Sequence, residues 1–563
     1  MRKGIILILF LLSFLTPLFG QDTVHYRRPL DLPMLLSSTF GELRPAHFHA
    51  GLDIKTQGKT GYKVYAIDDG YIYRIKVQRG GYGKAVYIKH PDGKISVYAH
   101  LDDFAGDLTT YVKRKQYEKR RFFVDLYLNE NLFPVRRGQV IGYSGNTGGS
   151  MGPHLHFEIR QTEAEPINPM LLGFRVPDTI APTPQQLYVY VLNDTSSVDG
   201  QHGTLAVPLI KREGNRYEFA AKEAYGQIGL GIRAFDRQNN TWNKNGLYRV
   251  SMYVNGIKTY ETRMDRIHYG LNRRINLLID YPAYVKQRIY IQKLWKHPLA
   301  KLPVFKQLVH HGILKVEDGK NYRVIIELAD FEGNVSKLYL TLRGKSTPPQ
   351  AAPAKEESGQ TVHWNSSLTL RGEQTEVEIP KHAVYDTVRL QLEEYRNGFR
   401  IGSPEIPLNK RFRALFSLKN IRPDRKKYAY LARVHPRTGK KLFATAVKKR
   451  DSLVLNSYSF GTYFVDYDSI APVITGLNIK PGQWISHYRY LRFRVSDAQT
   501  GIGNVQAYID GKWILIDWDP KTGRCTYDFN DLPLEGSQHQ LRIVVTDRTG
   551  NRREKKLTFF RKH

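Results

Sequence analysis

The sequence predicts a mostly β protein, in which an N-terminal antiparallel β domain is followed by β-sandwich modules. Apolar and polar residues alternate with a period of two in much of the chain, for example over 61–77 and 84–101, and this is the period of a half-buried strand. Within the second stretch, Pro91, Asp92 and Gly93 form a turn signal between two alternating halves, which predicts a β-hairpin. The length of 563 residues exceeds what one hydrophobic core supports, so several domains are expected.

The first twenty residues have the pattern of a secretory signal peptide. Arg2 and Lys3 precede an apolar run, and the small residue Gly20 closes it. We therefore predict a signal peptide over 1–20 and an exported protein of the periplasm or cell envelope, with an uncleaved membrane anchor as the alternative. No later segment approaches the roughly 18 apolar residues of a spanning helix, so no transmembrane segment is predicted in the mature chain.

The net charge indicates the class of partner, and the cysteine content indicates the compartment. The chain carries 85 Lys and Arg against 53 Asp and Glu, a formal net charge of +32, so it attracts polyanions. For an exported protein the expected polyanions are peptidoglycan and anionic glycans or lipids, and nucleic acid is not predicted. A general solubility effect is the alternative interpretation. Cys525 is the only cysteine, so no intramolecular disulfide can form, which suits a bacterial envelope.

One segment, 107–122, departs from the strand pattern. It is polar and basic, lacks Gly and Pro, and is predicted to be helical. Its Lys and Arg side chains are most simply a solvent-exposed face, and a role facing a substrate is the alternative.

Two recurring signals mark the C-terminal two-thirds of the chain. DTIAP at 178–182 and DSIAP at 468–472 each open a strand-rich stretch, and an Asp followed by a Gly-Asn or Asn-Asn turn recurs at 236–240, 330–334 and 547–551. Such turns are typical of the last strands of immunoglobulin-like sandwiches. They lack the carboxylate density of a calcium loop, so calcium is not predicted.

These signals divide the chain into modules. The predicted division is a signal peptide (1–20), the N-terminal β domain (21–175), a β-sandwich module with an insertion (176–345), a linker (346–358), a second β-sandwich module (359–465) and an immunoglobulin-like β-sandwich module (466–563). The linker is rich in Pro and Ala and is charged. Region 252–312 has no assignable pattern and is interpreted as the insertion. No motif in the modules carries chemistry, so we predict a scaffold, with an envelope protein as a candidate partner.

Metal-competent side chains concentrate in three stretches of the N-terminal domain. The stretches are HFHAGLD at 47–53, YAHL at 98–101 and HLH at 154–156. Because residues i and i+2 of a strand share a face, His154 and His156 should point together while Leu155 and Phe157 pack into the core. Two imidazoles on one face of a strand predict that this face binds a ligand and does not pack in the core.

The same strand count applies to the second stretch. It predicts that His100 shares a face with Tyr98, opposite Ala99. His49 and Asp53 are four residues apart around a glycine, a spacing that lets one loop bring both to one ion. A catalytic zinc site needs three protein ligands and an open position for water, and hydrolysis also needs groups that move protons.

The N-terminal motifs resemble those of the lysostaphin-type, or LytM-type, zinc metalloendopeptidases (peptidase family M23). They are HxGxD at 49–53, YAHL at 98–101, VRRGQVIGYSGNTG at 135–148 and GPHLHFE at 152–158, and the resemblance covers about residues 38–170. It implies a LytM-like antiparallel β domain and hydrolysis of peptide cross-links or stem peptides of bacterial peptidoglycan. It also implies one Zn²⁺ per chain with His49, Asp53 and His156 as ligands. His100 and His154 would then serve in general base catalysis and transition-state stabilisation.

Several alternatives stay open at this point. His47 lies two residues from His49 and competes with it as a ligand. Glu158 falls on the histidine face and is a candidate partner for a ligating imidazole, whereas His90 is expected to be exposed at the hairpin turn. As a whole, the protein could instead be a catalytically silent LytM-type regulator or activator of wall hydrolases, or a zinc peptidase acting on envelope proteins.

Overall fold

The computed structural model describes residues 26–346 and 358–562, and it is mostly β, as the sequence predicts. The predicted signal peptide lies outside these ranges, as does most of the predicted linker. Within the described ranges, no helix is both long and apolar enough to cross a membrane. The module boundaries themselves stay a prediction.

The N-terminal β unit is built around one large antiparallel sheet. Its strands are β1 (Leu36–Ser38), β2 (Leu43–Arg44), β3 (His47–Phe48), β4 (Leu52–Lys55), β5 (Lys63–Tyr65), β6 (Gly70–Val77), β7 (Lys84–Lys89), β8 (Ile95–Leu101), β9 (Asp103–Phe104), β10 (Val124–Tyr127), β11 (Pro134–Val135), β12 (Val140–Tyr143), β13 (His154–Thr162) and β14 (Glu165–Ile167). The order of the large sheet is β1-β4-β13-β8-β7-β6-β10, and a smaller sheet has the order β5-β12-β9. The strands that carry the histidine motifs, β4, β13 and β8, are therefore neighbours at its centre.

Two local predictions for this unit are confirmed. Strands β7 and β8 form the predicted hairpin around Gly93, which has a φ of +80°, a backbone angle that favours glycine. The polar segment forms helix α1 (Asp107–Glu118), which buries Leu108 and Val112. Of its basic residues, Arg114 is exposed and Lys113 and Lys115 are half-buried.

The next part of the chain adds a second large sheet. Its strands are β15 (Thr183–Val191), β16 (Ser197–Val198), β17 (Thr204–Val207), β18 (Leu209–Lys211), β19 (Arg216–Phe219), β20 (Lys222–Phe235), β21 (Arg249–Val254), β22 (Ile257–Arg263), β23 (Gln292–Lys293), β24 (Phe305–Leu308), β25 (Leu314–Val316), β26 (Asn321–Ala329) and β27 (Val335–Gly344). The main path is β17-β15-β20-β27-β26-β21-β22-β24. Pairing is antiparallel except where β19 and β20 run parallel to β27.

The unassigned region 252–312 contributes both to this sheet and to the N-terminal unit. It contains α2 (Ile275–Leu278), α3 (Tyr281–Gln287) and two 3-10 turns, Tyr269–Arg274 and His310–Gly312. A further 3-10 turn, Pro169–Leu172, lies in the N-terminal unit. Buried side chains between 264 and 304 join the hydrophobic core of the N-terminal unit; they are Met264, Ile267, Ile275, Leu278, Ile279, Leu302 and Val304. Residues 264–304 therefore cover an apolar face of the N-terminal unit.

The last two parts of the chain are two-sheet sandwiches. The strands of the first are β28 (Gln360–Val362), β29 (Leu368–Arg371), β30 (Thr375–Ile379), β31 (Val388–Leu390), β32 (Leu392–Tyr395), β33 (Gly398–Ile401), β34 (Phe412–Ser417), β35 (Ala429–Val434), β36 (Lys441–Phe443), β37 (Ala446–Lys449), β38 (Ser452–Ser457) and β39 (Gly461–Tyr467), with the short helix α4 (Pro423–Lys426). Sheets β29-β30-β34-β38-β37 and β32-β33-β39-β35-β36 enclose one core, where Phe399 stacks on Phe416.

The C-terminal sandwich is smaller and contacts the N-terminal unit. Its strands are β40 (Val473–Thr475), β41 (Tyr490–Ser496), β42 (Ile502–Ile509), β43 (Lys512–Ile514), β44 (Asp517–Trp518), β45 (Arg524–Asp528), β46 (Gln538–Asp547) and β47 (Arg552–Phe560), in sheets β40-β41-β45-β44 and β43-β42-β46-β47. Trp513 packs edge-on against Tyr117 of α1, and Lys113 forms a 2.5 Å ion pair with Asp531. The basic helix thus faces this sandwich on one side.

Candidate functional site

Strand register brings two of the predicted site residues together. In the antiparallel pair β4–β13, Asp53 lies directly opposite His156. Directly opposed residues point to the same face, so these two side chains meet. His49 comes just before β4, where its backbone N–H donates to the carbonyl of Glu42 at 2.9 Å, and its ring reaches the same point.

The three side chains form one buried cluster. Oδ1 of Asp53 lies 2.8 Å from Nδ1 of His156 and 3.1 Å from Nε2 of His49. The two ring nitrogens are 3.1 Å apart. One potential ligand atom from each residue lies within 4.8 Å of the others. Two imidazole nitrogens and one carboxylate are a donor set that zinc accepts.

The other nitrogen of each ring is held by a hydrogen bond. Nδ1 of His49 donates to the carbonyl oxygen of Thr39 at 2.8 Å, and Nε2 of His156 donates to Oε1 of Glu158 at 2.8 Å. These bonds fix the orientation of both rings and leave Nε2 of His49 and Nδ1 of His156 facing Asp53. The predicted partnership between Glu158 and a site histidine is confirmed.

The electrostatics of the cluster favour a cation. Burial opposes charge on His156, but hydrogen bonds to Asp53 and Glu158 raise the pKa of His156 to about 9. Burial also opposes charge on Asp53, yet His49, His154 and His156 hold the pKa of that carboxyl well below its usual range. The pocket therefore stabilises a positive charge placed between these residues.

Glu158 is itself part of a buried network that the sequence did not reveal. Its Oε2 accepts from Nε of Arg160 at 2.7 Å and from the hydroxyl of Tyr269 at 2.9 Å, and its Oε1 accepts from the hydroxyl of Tyr82 at 2.5 Å. Burial opposes ionisation of Glu158, but Arg160 and His156 lower the pKa of this carboxyl overall. Arg160 follows Glu158 at i+2 and could have been found by strand counting. Tyr269 is 111 residues away, and no local signal points to it.

The expected orientation of His100 is wrong. Tyr98 points into the core, where its ring packs 5.5 Å from that of Phe157. His100 has a φ of +61°, a left-handed conformation that breaks the strand alternation. Its ring therefore turns to the opposite face and lies 4.9 Å from the ring of His154 and 5.8 Å from that of His156.

His100 and His154 flank the cluster with their rings oriented alike. Nδ1 of His100 donates to the carbonyl oxygen of Thr147, and Nδ1 of His154 donates to that of Gly152, both at 2.8 Å. The Nε2 atoms are thereby left as proton acceptors, and that of His154 lies 3.4 Å from Oδ1 of Asp53. Burial and the neighbouring imidazoles lower the pKa of His100 to about 3, so this ring is neutral at physiological pH.

Two further histidines lie away from the cluster. His47 is exposed and its Nδ1 bonds to the carbonyl oxygen of Pro45 at 2.8 Å. The expected exposure of His90 is wrong, because its ring is buried between the carbonyl of Asp69 and the hydroxyl of Ser96, each at 2.7 Å. Neither residue lies in the metal-competent group.

Comparison with known proteins places this site in a family. Residues 47–117 and 131–169 match the model of peptidase family M23, and residues 359–468 match the model of the Zu5-like domain. The recognition of the N-terminal unit as an M23 peptidase domain of the LytM and lysostaphin type is thus confirmed.

Individual relatives match over the same part of the chain. The DD-carboxypeptidase/endopeptidase Mpg of Neisseria meningitidis is 35% identical over 148 residues, which cover 25% of this chain and 28% of Mpg. The murein hydrolase activator NlpD of Escherichia coli is 33% identical over 120 residues, which cover 21% of this chain and 24% of NlpD. The chain thus spans about a quarter of the length of these relatives. Among solved structures, the catalytic domain of lysostaphin from Staphylococcus simulans is 25% identical; the match covers 24% of this chain and 89% of that domain, with a TM-score of 0.18.

Proposed function

We propose that this M23 domain makes the protein an exported zinc-dependent endopeptidase that hydrolyses peptide cross-links or stem peptides of bacterial peptidoglycan. The observation that carries the proposal is the complete site: His49, Asp53 and His156 converge, and His100 and His154 stand beside them, each with Nδ1 bonded to a backbone carbonyl and Nε2 not. In this proposal the first three residues hold one Zn²⁺ and the other two are catalytic.

The donor set supports zinc on chemical grounds. Nε2 of His49, Nδ1 of His156 and one carboxylate oxygen of Asp53 form a site with two neutral ligands and one anion. When bound, the metal supplies a Lewis acid for the scissile carbonyl and lowers the pKa of a water molecule toward about 7. The hydrogen bonds from the other ring nitrogens, Nδ1 of His49 to Thr39 and Nε2 of His156 to Glu158, hold both rings in the orientation that zinc binding requires.

The Nε2 atoms of His100 and His154 determine what these two residues can do in the reaction. Nε2 of His100 or of His154 accepts a proton from the attacking water and later returns it to the leaving amine. The Nε2–H that this ring gains by the transfer donates a hydrogen bond to the developing oxyanion, beside the second imidazole. The low pKa of His100 keeps this ring neutral, so the lone pair of its Nε2 is unprotonated before the water attacks.

The substrate class rests on chemistry and on the relatives together. The chain has a net charge of +32, and an exported protein so rich in basic residues is attracted to the anionic cell wall. Mpg, which is named a DD-carboxypeptidase/endopeptidase, matches the same domain. The relative NlpD is named an activator, so regulation of other wall hydrolases is the second candidate function. The filled set of five site positions favours an enzyme over an activator.

The test is release of soluble muropeptides from purified sacculi by the mature protein. We expect new peptide termini, inhibition by 1,10-phenanthroline and recovery on addition of Zn²⁺. Denatured envelope proteins serve as the competing substrate, and their cleavage without release from sacculi would favour the envelope-protein peptidase. A zinc-loaded protein that cleaves neither substrate, but stimulates a separate wall hydrolase, would favour the activator.

A further inference from the structure

Three carboxylates from separate turns converge where the second sheet meets the M23 domain. Asp178 precedes β15, Asp236 follows β20 and Asp330 follows β26, and one oxygen of each lies within 4.8 Å of the others. Asp236 and Asp330 are 3% and 5% exposed. These residues belong to the DTIAP and Asp-turn motifs, which the proposed peptidase activity does not use.

The cluster also contains acceptors that no donor satisfies. Oδ1 of Asp236 and Oε1 of Gln238 are buried without a hydrogen-bond partner among the described residues, and Gln238 is 3% exposed. Both residues line one cavity together with Asp178 and Asp330. Leaving such an acceptor buried and unpaired is unfavourable, so a ligand that takes oxygen donors is expected in this cavity.

We propose that Asp178, Asp236, Asp330 and Gln238 form a Ca²⁺ site at the junction of the M23 domain and the second sheet. All donors are oxygens, which hard divalent cations prefer. The limit of 4.8 Å between ligand atoms is about twice the Ca–O distance of 2.3–2.6 Å, so one calcium ion reaches all three carboxylates. Burial and the carboxylates of Asp330 and Asp178 raise the pKa of Asp236 to about 8, and a dication would relieve this repulsion.

A second cluster in the C-terminal sandwich differs from the first at one member. Asp468, Asp497 and Asp547 also converge. Asp178 and Asp330 of the first cluster accept hydrogen bonds from turn amides, as Asp468 and Asp547 do, but Asp497 is held by an amide whereas Oδ1 of Asp236 has no partner among the described residues. Oδ2 of Asp468 accepts from Oγ1 of Thr500 at 2.6 Å, Oδ2 of Asp497 from the amide of Gly501 at 2.7 Å, and Oδ1 of Asp547 from backbone amides of its own turn. Asp497 therefore provides a matched control for Asp236.

Calcium is not predicted from the sequence because no single turn carries enough carboxylates. The structure instead assembles them from three turns that are about 60 and 90 residues apart in sequence. Strand pairing brings these turns together, and spacing along the chain does not reveal it.

The position of the cavity indicates what bound calcium would do. Thr39, Asn168 and Met170 of the M23 domain line the same cavity. The hydroxyl of Thr39 accepts from the amide of Gly246 at 3.2 Å, and its carbonyl oxygen accepts from Nδ1 of His49 at 2.8 Å. Calcium would therefore brace the loop that orients His49 against the second sheet.

The experiment is thermal unfolding of the zinc-loaded mature protein in calcium-free buffer with added CaCl₂ or MgCl₂. We expect calcium to raise the Tm saturably by several degrees, with one Ca²⁺ per chain by titration calorimetry. Asp236→Asn should lose this shift and Asp497→Asn should keep it. Without calcium, Asp236→Asn should be at least as stable as the wild type, since the amide removes the repulsion, and this separates loss of a ligand from misfolding.

Three results would overturn the proposal. They are no calcium-dependent shift in the wild type, an equal shift in Asp236→Asn, and loss of the shift in Asp497→Asn instead. An equal response to Mg²⁺ would overturn the assignment to calcium. Peptidase activity does not enter these readouts, so the site stands or falls separately from the proposed function.

Discussion

Asp53 and His156 lie directly opposite each other on β4 and β13, with Oδ1 of Asp53 2.8 Å from Nδ1 of His156. The backbone register of the central sheet thus sets the distance between two of the three proposed zinc ligands. Sites built on strands hold their geometry better than sites built on loops. The ring orientations of the other three site residues depend on carbonyl groups of loops. Thr39 orients the ring of His49, Thr147 that of His100, and Gly152 that of His154.

Glu158 should control zinc affinity through His156. In Glu158→Gln the ring of His156 loses its anionic partner, and we expect zinc affinity to fall about 10- to 100-fold. Competition with a zinc chelator measures this affinity. Glu163→Gln, at an exposed position just past the end of β13, is the control and should bind zinc as the wild type does. Equal affinity in both variants would contradict the role given to Glu158.

Gly51 should be required for the approach of the ligand loop to β13. A Cβ at this position would lie 2.3 Å from the carbonyl oxygen of Phe157, so Gly51→Ala must shift the segment that carries His49 and Asp53. We expect a loss of stability of about 1–3 kcal/mol, as for other overpacked sites, together with weaker zinc binding. Gly152→Ala, where a Cβ meets nothing within 4 Å, should retain both. Denaturant unfolding and zinc content measure the two effects.

The left-handed backbone of His100 allows its catalytic role and its conformational role to be tested with two different variants. Asn tolerates a positive φ, so His100→Asn should fold and bind zinc but lose cleavage. His100→Val introduces a β-branched residue at φ +61° and should additionally lose stability by about 1–2 kcal/mol. Retained cleavage of sacculi by His100→Asn would show that this imidazole is not catalytic.

The single cysteine should be unreactive in the folded protein. Cys525 is fully buried in the C-terminal sandwich, and burial raises the pKa of its thiol. A free cysteine with a pKa of about 8.5 reacts readily as the thiolate near pH 9, whereas Cys525 should react with a thiol reagent at that pH only after unfolding. Rapid modification of the native protein would contradict the burial of this side chain.

Truncation should reveal that the M23 domain depends on the segment that follows it. Ending the chain after residue 175 removes Met264, Ile267, Ile275 and the other side chains that complete its core, as well as Tyr269 of the Glu158 network. We expect this fragment to be less stable than one ending at 346, measured by thermal unfolding. Equal stability of the two fragments would contradict a shared core.

The sequence predicts the central part of the site well because strand periodicity is local. Counting by two puts His154, His156 and Glu158 on one face and Leu155 and Phe157 in the core, which is what the structure has. It fails at His100, since a single residue in the left-handed region reverses the count. It also cannot find Tyr269 or the aspartate cluster, because these contacts join turns that only the folded sheets bring together.

The most direct test measures zinc content and muropeptide release from purified sacculi together, for the mature protein and for His156→Ala and His154→Ala. We expect one zinc per chain and cleavage in the wild type, loss of zinc and cleavage in His156→Ala, and loss of cleavage with zinc largely kept in His154→Ala. Zinc that stays bound in His156→Ala, or cleavage that persists in His154→Ala, would contradict the roles assigned to these two histidines.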